Sequence, residues 1–360
     1  MHHNETKTPL IRLAKRGVME PWKAWCIRVG SILVALLLGG LVMSIALPEG
    51  SNIFSAYGTI IEGALGKKTA IRQTIKLAVP LLGTALAIAP CFKMRFWNIG
   101  AEGQITAGAM AASYFALYCY DKMSSPVLLI VMGVSAALLG GIWAFIPGFF
   151  KAKWNTNETL FTLMMNYVAT QLVAYFIIVW ESPKGSGKVG IINQSTEAGW
   201  LPQIGGYKYL LTILVVAVLT VLVYIYLNYS KHGYEISVVG ESERTARYVG
   251  IKVGKVIVRT MLLSGALCGI AGVLLVSGTD HTITTTIAGG QGFTAVMVSW
   301  LAKFNPLGMI LTSFLLVFLD RGAGEISTAF GLNQSFADIL SGIIIFFIKY
   351  ILLLMGFFVS

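Results

Sequence analysis

Charged residues, histidines and cysteines are scarce in this sequence, and each scarcity excludes a class of protein. Only 12% of the 360 residues are charged, whereas about a quarter of the residues of a typical soluble domain carry a charge. The 4 histidines do not cluster and no His-Glu-x-x-His sequence is present, which argues against a zinc protease. We interpret the cysteines as small buried apolar residues, since their spacing fits no metal or redox site: Cys26, Cys91, Cys119 and Cys268.

The distribution of cations argues against a nucleic-acid partner. The net charge is +11, but the lysines and arginines form no stripe interleaved with aromatic residues. They gather beside apolar segments, where cations set membrane topology and contact anionic lipid. We therefore expect a lipid membrane as partner and no nucleic acid.

No feature of the sequence predicts an enzyme, a metal site or an ATP site on this chain. A nucleophile paired with a base is not apparent. The glycine-rich stretch from Gly185 to Val189 lacks the first glycine and the Ser or Thr of a phosphate-binding loop. If ATP drives this protein, another chain binds it.

Apolar residues dominate what is present. They make up 56% of the chain, which also has 39 glycines and a mean hydropathy of +0.75. A helix needs about 20 apolar residues to cross the bilayer. The chain is thus expected to be all-α and polytopic, with about ten transmembrane helices near 30–47, 73–90, 99–120, 127–150, 159–180, 209–229, 257–277, 288–302, 306–324 and 338–356.

Charge placement predicts the topology. Most lysines and arginines fall on one side if both termini are cytoplasmic, as the positive-inside rule requires. Residues 1–29 are then a cytoplasmic tail without a signal-peptide cleavage site, and 30–360 form a single transmembrane domain. Residues 181–207 form an irregular external loop, and 230–256 are cytoplasmic.

The cytoplasmic segment contains the pattern of a short helix. Ser242 is suited to cap a helix that continues through Arg247 and Tyr248, and Gly250 is suited to end it. An ordinary interfacial helix would explain this pattern as well as a docking helix does.

Polar residues at the head of the third predicted span are the most informative feature. Asn98, Glu102 and Gln104 precede or enter an apolar helical run, and polar groups are costly at membrane depth. Glu102 is suited either to line a hydrated path or to cap a helix start, where the helix dipole favours an anion. Asn166, in the fifth span, either joins helices or lines a pore.

A faint internal repeat relates this region to the second half of the chain. Aligning Ile99–Met110 with Ile287–Val298 matches an isoleucine, a threonine and an alanine. The two segments would be the third and eighth spans and so opposite in orientation, as in transporters with inverted repeats. Gln291 and Phe293, among several glycines, mark the broken start of the eighth span.

Three segments resemble a known family. Phe96-Trp-Asn98-Ile-Gly-Ala-Glu102-Gly-Gln104 resembles the Phe-Asn-Ile-Gly-Ala-Glu-Gly-Gln signature of permease subunits of bacterial ABC importers for nucleosides, relatives of the ribose and branched-chain amino acid permeases. Segments 157–167 and 240–251 are similar to two further segments of that family. Trp97 interrupts the signature, and Glu241 to Thr245 depart from the family's loop.

The resemblance implies a division of labour in the bacterial plasma membrane. A second, non-identical permease would complete the pathway, an ATP-binding subunit would hold ATP and magnesium, and an extracellular lipoprotein would deliver the substrate. This chain would bind no cofactor. The short helix would be the coupling helix that contacts the ATPase through Gly240, Glu241, Glu243, Arg244, Arg247, Tyr248 and Gly250. The pathway would be lined by Asn98, Glu102, Gln104 and Asn166, with Gln291 and Phe293 from the second half.

Other transporters fit part of this pattern. An ABC permease for a sugar or another small polar solute would carry the same motifs. A secondary transporter or channel would fit the inverted repeat, although few carboxylates lie near the predicted spans for ion coupling. A scaffold without transport activity requires neither polar broken helices nor a cytoplasmic helix.

Overall fold

The computed structural model describes residues 52–333 continuously, together with 13–15, 22, 30, 33–34, 37–41, 44, 335, 339, 342–343, 346 and 357–359. The helices in chain order are α1 (Ile53–Ile61), α2 (Lys68–Lys93), α3 (Ala101–Tyr118), α4 (Ser125–Trp154), α5 (Glu158–Trp180), α6 (Leu210–Tyr229), α7 (Lys231–Glu241), α8 (Glu243–Tyr248), α9 (Val253–Val273), α10 (Gln291–Leu301) and α11 (Pro306–Phe330). Two π-helical stretches, Glu62–Gly66 and Leu274–Asp280, continue α1 and α9. β1 (Leu13–Lys15) pairs antiparallel with β2 (Phe357–Val359), and all other elements are helical in the described part of the chain.

The chain divides into two compact units, Met1–Thr74 with Leu316–Ser360, and Ile75–Leu315. In the first unit, α1 and its π-helical extension contact the second half of α11. A Cβ on Gly322 would meet the backbone and side chain of Ile60, and one on Gly63 would meet the side chain of Glu325. The prediction of a single transmembrane domain from residue 30 onward stays a prediction.

Among the described residues, six helical segments are long and apolar enough to cross a membrane: Lys68–Lys93, Ser125–Trp154, Glu158–Trp180, Leu210–Tyr229, Val253–Asp280 and Pro306–Phe330. They coincide with six of the predicted spans. Large apolar side chains on their outer faces are exposed, including Ile130, Leu138, Ile178 and Leu222, as expected for helices that contact lipid. The chain is therefore a multi-pass membrane protein.

The other four predicted spans are not among these six helical segments. The spans near 30–47 and 338–356 lie largely outside the described residues. The segment near 99–120 forms α3, an 18-residue helix that is not among the six apolar candidates. The 288–302 segment does not cross the membrane as one helix, because α10 has only 11 residues and so extends only about 16 Å. The count of about ten is not confirmed.

The core of the second unit is built on close packing of α9 against α4 and α3. A Cβ on Gly140 of α4 would lie 2.9 Å from Cα of Gly269 in α9. One turn along the same face of α9, a Cβ on Gly272 would lie 2.7 Å from the Ala109 nitrogen of α3. Only glycine allows helix backbones to approach this closely, a packing mode typical of membrane helices. α9 therefore forms the central helix against which the site is assembled.

The segment 181–207 is irregular, as predicted, and is tied to the residues that follow α9. Ile192 donates its backbone N–H to the His281 carbonyl at 2.8 Å, and Leu201 donates to the Ser277 carbonyl at 2.8 Å. The Trp200 indole stacks on the His281 ring with 3.9 Å between ring centroids. Burial lowers the pKa of His281, which favours the neutral ring in this stack.

Candidate functional site where two helix N-termini meet

The site begins at the break between α2 and α3. The chain leaves α2 at Lys93 and resumes a helix only at Ala101, and the intervening turn is held by Asn98. The Asn98 side-chain oxygen accepts hydrogen bonds from the Gly100 N–H at 3.1 Å and the Gln104 amide at 3.0 Å. Its amide nitrogen donates to Ser264 of α9 at 3.2 Å. Asn98 therefore fixes the geometry of the break and connects it to the central helix.

The start of α3 is capped by a side chain from another helix. The N-cap residue of α3, Gly100, has no side chain to accept from the first free N–H groups. Asn166 of α5 replaces that function, because its side-chain oxygen accepts from the Gly103 N–H at 2.8 Å. Its amide donates to the Ile99 carbonyl at 2.9 Å. Asn166 thus joins α5 to the broken end of α3, which is the helix-joining alternative proposed for it.

Glu102 connects the start of α3 to the start of α10. One carboxylate oxygen accepts from the Gly290 N–H at 2.7 Å and the other accepts from the Gly292 N–H at 2.8 Å. Gly290 is the N-cap of α10 and has φ of +76°, a conformation that favours glycine. A Cβ on Gly292 would lie 2.9 Å from the Glu102 Cα. Glu102 therefore caps a helix, and that helix is α10.

The electrostatics of this junction follow from the helix directions. Glu102 lies in the first turn of α3 and also binds the first turn of α10. Each helix N-terminus carries roughly half a positive charge, so one carboxylate is stabilised by both. No Lys or Arg of the described residues forms an ion pair with Glu102. Among the described residues, the hydrogen-bond donors to the Glu102 carboxylate are backbone N–H groups.

The predicted site residues fall into two groups by exposure. Asn98, Gln104 and Asn166 are buried. In this conformation, Asn98 and Gln104 face each other and not an open path. Glu102 and Gln291 are partly exposed, and 45% of Phe293 is exposed. The Gln291 side-chain oxygen is buried without a hydrogen-bond partner among the described residues.

Two participants were missed by sequence reasoning. The Ser264 hydroxyl accepts a hydrogen bond from the Asn98 side-chain amide, and the Thr162 hydroxyl accepts one from the Ile99 N–H at 3.3 Å. Both are small polar residues inside apolar spans, a weak signal because such residues usually bond within their own helix. The backbone donors at Gly290 and Gly292 were also not expected, although the repeat alignment sets Gly290 against Glu102.

The α7–α8 region has the predicted local structure. The Ser242 hydroxyl accepts the Thr245 N–H at 3.2 Å, and α8 ends at Tyr248, two residues before Gly250, which has φ of +83°. Ala246 is buried, whereas 92% of Tyr248 is exposed. Of the residues predicted to contact an ATPase, only Gly240 is buried, against the Lys93 carbonyl and Met94. The others form an exposed surface: Glu241, Glu243, Arg244, Arg247, Tyr248 and Gly250.

Comparisons with known proteins agree with the resemblance of the motifs. The family model of the branched-chain amino acid transport system permease component matches residues 70–349. The guanosine ABC transporter permease protein NupP of Bacillus subtilis is 31% identical, over 88% of this chain and 91% of its own length. The nucleoside ABC transporter permease protein NupB of Lactococcus lactis is 28% identical, over 88% of each chain. The glucose ABC transporter permease protein TsgB13 of Haloferax volcanii is 27% identical, over 94% of this chain and 90% of its own length.

The region that the family model matches, residues 70–349, contains the whole junction of α3 and α10. It also contains the segment 96–104 and the α7–α8 region, whose geometry has been described above. The chain therefore belongs to the family of branched-chain amino acid transport system permease components.

Proposed function

We propose that this chain is the transmembrane permease subunit of an ATP-driven ABC importer for nucleosides. The observation that carries the proposal is the 31% identity with a guanosine permease over nearly the full length of both chains. A nucleoside permease, NupB, is a second relative that matches over most of its length. The signature around Asn98 and Glu102, which led to the same class from the sequence, lies inside the matched region.

The translocation pathway is proposed to pass the junction of α3 and α10. Two half-length or broken helices whose N-termini point at one place form the usual binding region of membrane transporters. Here Glu102, Gln291 and Phe293 are the members with exposed surface. Asn98, Gln104 and Asn166 hold the helix ends in position and reach the pathway only if the junction opens. This rearrangement is part of the proposal.

A second permease and an ATP-binding subunit complete the proposed machine. NupP and NupQ are both relatives of this chain and both come from Bacillus subtilis, and NupB and NupC both come from Lactococcus lactis. The partner permease is therefore proposed to be non-identical. ATP and magnesium are assigned to the ATP-binding subunit, and an extracellular lipoprotein is proposed to deliver the substrate.

The exposed helix α8 is proposed as the coupling helix. Its exposed charged and aromatic surface is suited to a groove on another protein, and Gly240 fixes α7 against the end of α2. Closure of the ATPase would thus be transmitted through α7 to α2, which leads directly into the broken helix at Asn98. Alternating access would follow from this connection, with both termini of the chain on the cytoplasmic side.

The test is uptake in cells that lack their own nucleoside permeases and carry the complete set of subunits. Radiolabelled guanosine should accumulate, and unlabelled adenosine or uridine should compete, whereas a hundredfold excess of glucose should not. A variant of the ATP-binding subunit that cannot hydrolyse ATP should abolish uptake. Uptake that persists with this variant and stops when an ionophore dissipates the ion gradient would contradict the proposal.

A sugar is the second candidate substrate. The specific observation is the match to a glucose permease over 94% of this chain. In the same cells, competition by glucose but not by nucleosides would establish that candidate. The assignment of the chain as a permease would remain, since both relatives are permeases.

A further inference from the structure

An open groove lies between the end of α4 and the start of α9, away from the junction of α3 and α10. Its volume is about 620 Å³, which is within the range of ligand sites. Apolar atoms form almost the whole surface, and Phe149, Val258 and Leu262 form its walls. Lys153, Lys255 and Arg259 also line it. An apolar groove with several cations at its border is suited to a ligand that has an apolar part and a negatively charged part.

Small residues explain why the groove exists at this depth. One turn further into the membrane, α4 and α9 are in contact, since a Cβ on Gly148 would lie 2.9 Å from the Met261 Cβ. At the groove the facing residues are Ala152 and Gly254, and a Cβ on Gly254 would reach only Ala152, at 3.6 Å from its Cβ and 3.7 Å from its carbonyl oxygen. Neither side chain is large enough to fill the space between the helices. The groove therefore opens sideways between two spans that contact lipid.

Two of the cations at this groove are available to a ligand. The third, Arg259, is paired to the Glu235 carboxylate at 2.9 Å. Lys153 and Lys255 are exposed and form no ion pair with the described residues. The Arg259 guanidinium also keeps a buried Nε without a hydrogen-bond partner in that part of the chain. The net charge at the groove is positive.

Aromatic residues indicate the level of the membrane surface. Trp154 ends α4 and is 55% exposed, and exposed tryptophans concentrate where the hydrocarbon meets the headgroups. The Lys153 ammonium lies 4.7 Å from the Trp154 ring and 5.6 Å from the Phe149 ring. Lys153 is therefore at headgroup level. Leu262 lies more than two turns after Val253, the first residue of α9, and so deeper in the membrane. The groove extends from the headgroups into the acyl region.

We propose that this groove is a binding site for an anionic phospholipid. One acyl chain lies against Phe149, Val258 and Leu262, and the phosphate is held between Lys153 and Lys255. A zwitterionic lipid brings an additional ammonium group to the same place and binds more weakly. The site is independent of the substrate and would connect the lipid composition of the membrane to α9, the central helix of the second unit.

The test is native mass spectrometry of the complete transporter with added dioleoyl-phosphatidylglycerol or dioleoyl-phosphatidylcholine. Phosphatidylglycerol should bind more tightly to the natural chain. Lys153→Gln with Lys255→Gln should weaken its binding about thirty-fold, since each lysine near an anionic headgroup contributes about fivefold. The matched control is Lys231→Gln with Lys303→Gln, two exposed lysines outside the groove, which should leave the affinity unchanged.

A second variant tests the acyl chain without changing charge. Gly254→Leu should fill the groove and displace phosphatidylglycerol, and its backbone position tolerates a side chain. Equal phosphatidylglycerol affinity in the natural chain and in the Lys153→Gln, Lys255→Gln variant would overturn the proposal. A loss of affinity in the Lys231→Gln, Lys303→Gln control as large as in that variant would also overturn it. A photocrosslinker at position 262 should capture lipid, and capture of another subunit in its place would also overturn it.

Discussion

At the residue scale, the two-sided role of Glu102 is the central finding. One carboxylate accepts from the N–H groups of Gly290 and Gly292 while its own backbone belongs to the first turn of α3. The amide of Asn166 supplies the corresponding cap for α3 from a third helix. Polar side chains from other helices thus provide the caps that the glycine residues at the starts of α3 and α10 cannot provide.

Glu102→Gln and Glu102→Ala should destabilise the junction in that order. The amide of glutamine accepts from only one of the two glycine N–H groups, and alanine accepts from neither. Each buried donor left unpaired costs about 1–3 kcal/mol. Thermal unfolding in detergent should show a lower Tm for Glu102→Gln and a still lower Tm for Glu102→Ala, and uptake should fall with both.

Asp121→Asn is the control for the loss of a carboxylate, because Asp121 is exposed. It should have the Tm and uptake of the natural chain. A Glu102→Ala variant with unchanged Tm would contradict the capping role, and one with unchanged uptake would contradict the position of the pathway.

At the scale of elements, α8 has few stabilising contacts of its own and a largely exposed surface. Its single ion pair, between Glu243 and Arg247 at 3.5 Å, is exposed, so the pair contributes little to stability. Ser242 caps its first turn, and Ala246 alone is buried. Exposure on this scale in a helix of 6 residues is more suited to docking than to packing.

Arg247→Ala and Tyr248→Ala should therefore uncouple the transporter without unfolding it. ATP hydrolysis stimulated by substrate and its binding protein should fall by half or more in reconstituted liposomes, while the Tm stays within about 1 °C of the natural value, since exposed substitutions change stability little. Lys231→Ala, at the exposed start of α7, should leave the stimulation intact. Normal stimulation in both α8 variants would contradict the assignment.

At the scale of the whole molecule, the family relationship predicts assembly with a different permease. Relatives occur as two distinct chains in each of two organisms. The second chain would provide the other wall of the pathway, next to the partly exposed Glu102 and Phe293. On this proposal, a single chain would carry pathway residues without enclosing the pathway.

Differently tagged copies of this chain should not purify together from cells that also produce the second permease. Each copy should bring down the second permease and the ATP-binding subunit in equal amounts. Deleting the second permease should abolish uptake, and expressing it from a plasmid should restore it. Recovery of two copies of this chain in one active complex would contradict a non-identical partner.

The sequence by itself determined the helical class, six of the spans, the irregular 181–207 segment and the Ser242 cap. Each of these depends on local composition or on neighbouring residues, such as an apolar run of about 20 residues or a serine before a helix. The motif from Asn98 to Gln104 also predicted polar side chains at the start of a helix, whereas their role in transport stays a prediction. Local patterns were sufficient because each feature is complete within one segment.

Only the tertiary structure decided what those polar residues contact. The partners of Glu102 lie about 190 positions away in the chain, at Gly290 and Gly292, and backbone N–H groups carry no signature in the residue type. The shortness of α10, which has 11 residues, is different because local signals bound it: Gly289 and Gly290 precede it, and a segment with Lys303, Asn305 and Pro306 follows it. Contacts between distant segments determine the partners of Glu102, because a hydrogen-bonding group at membrane depth is satisfied by whichever segment the fold brings to it.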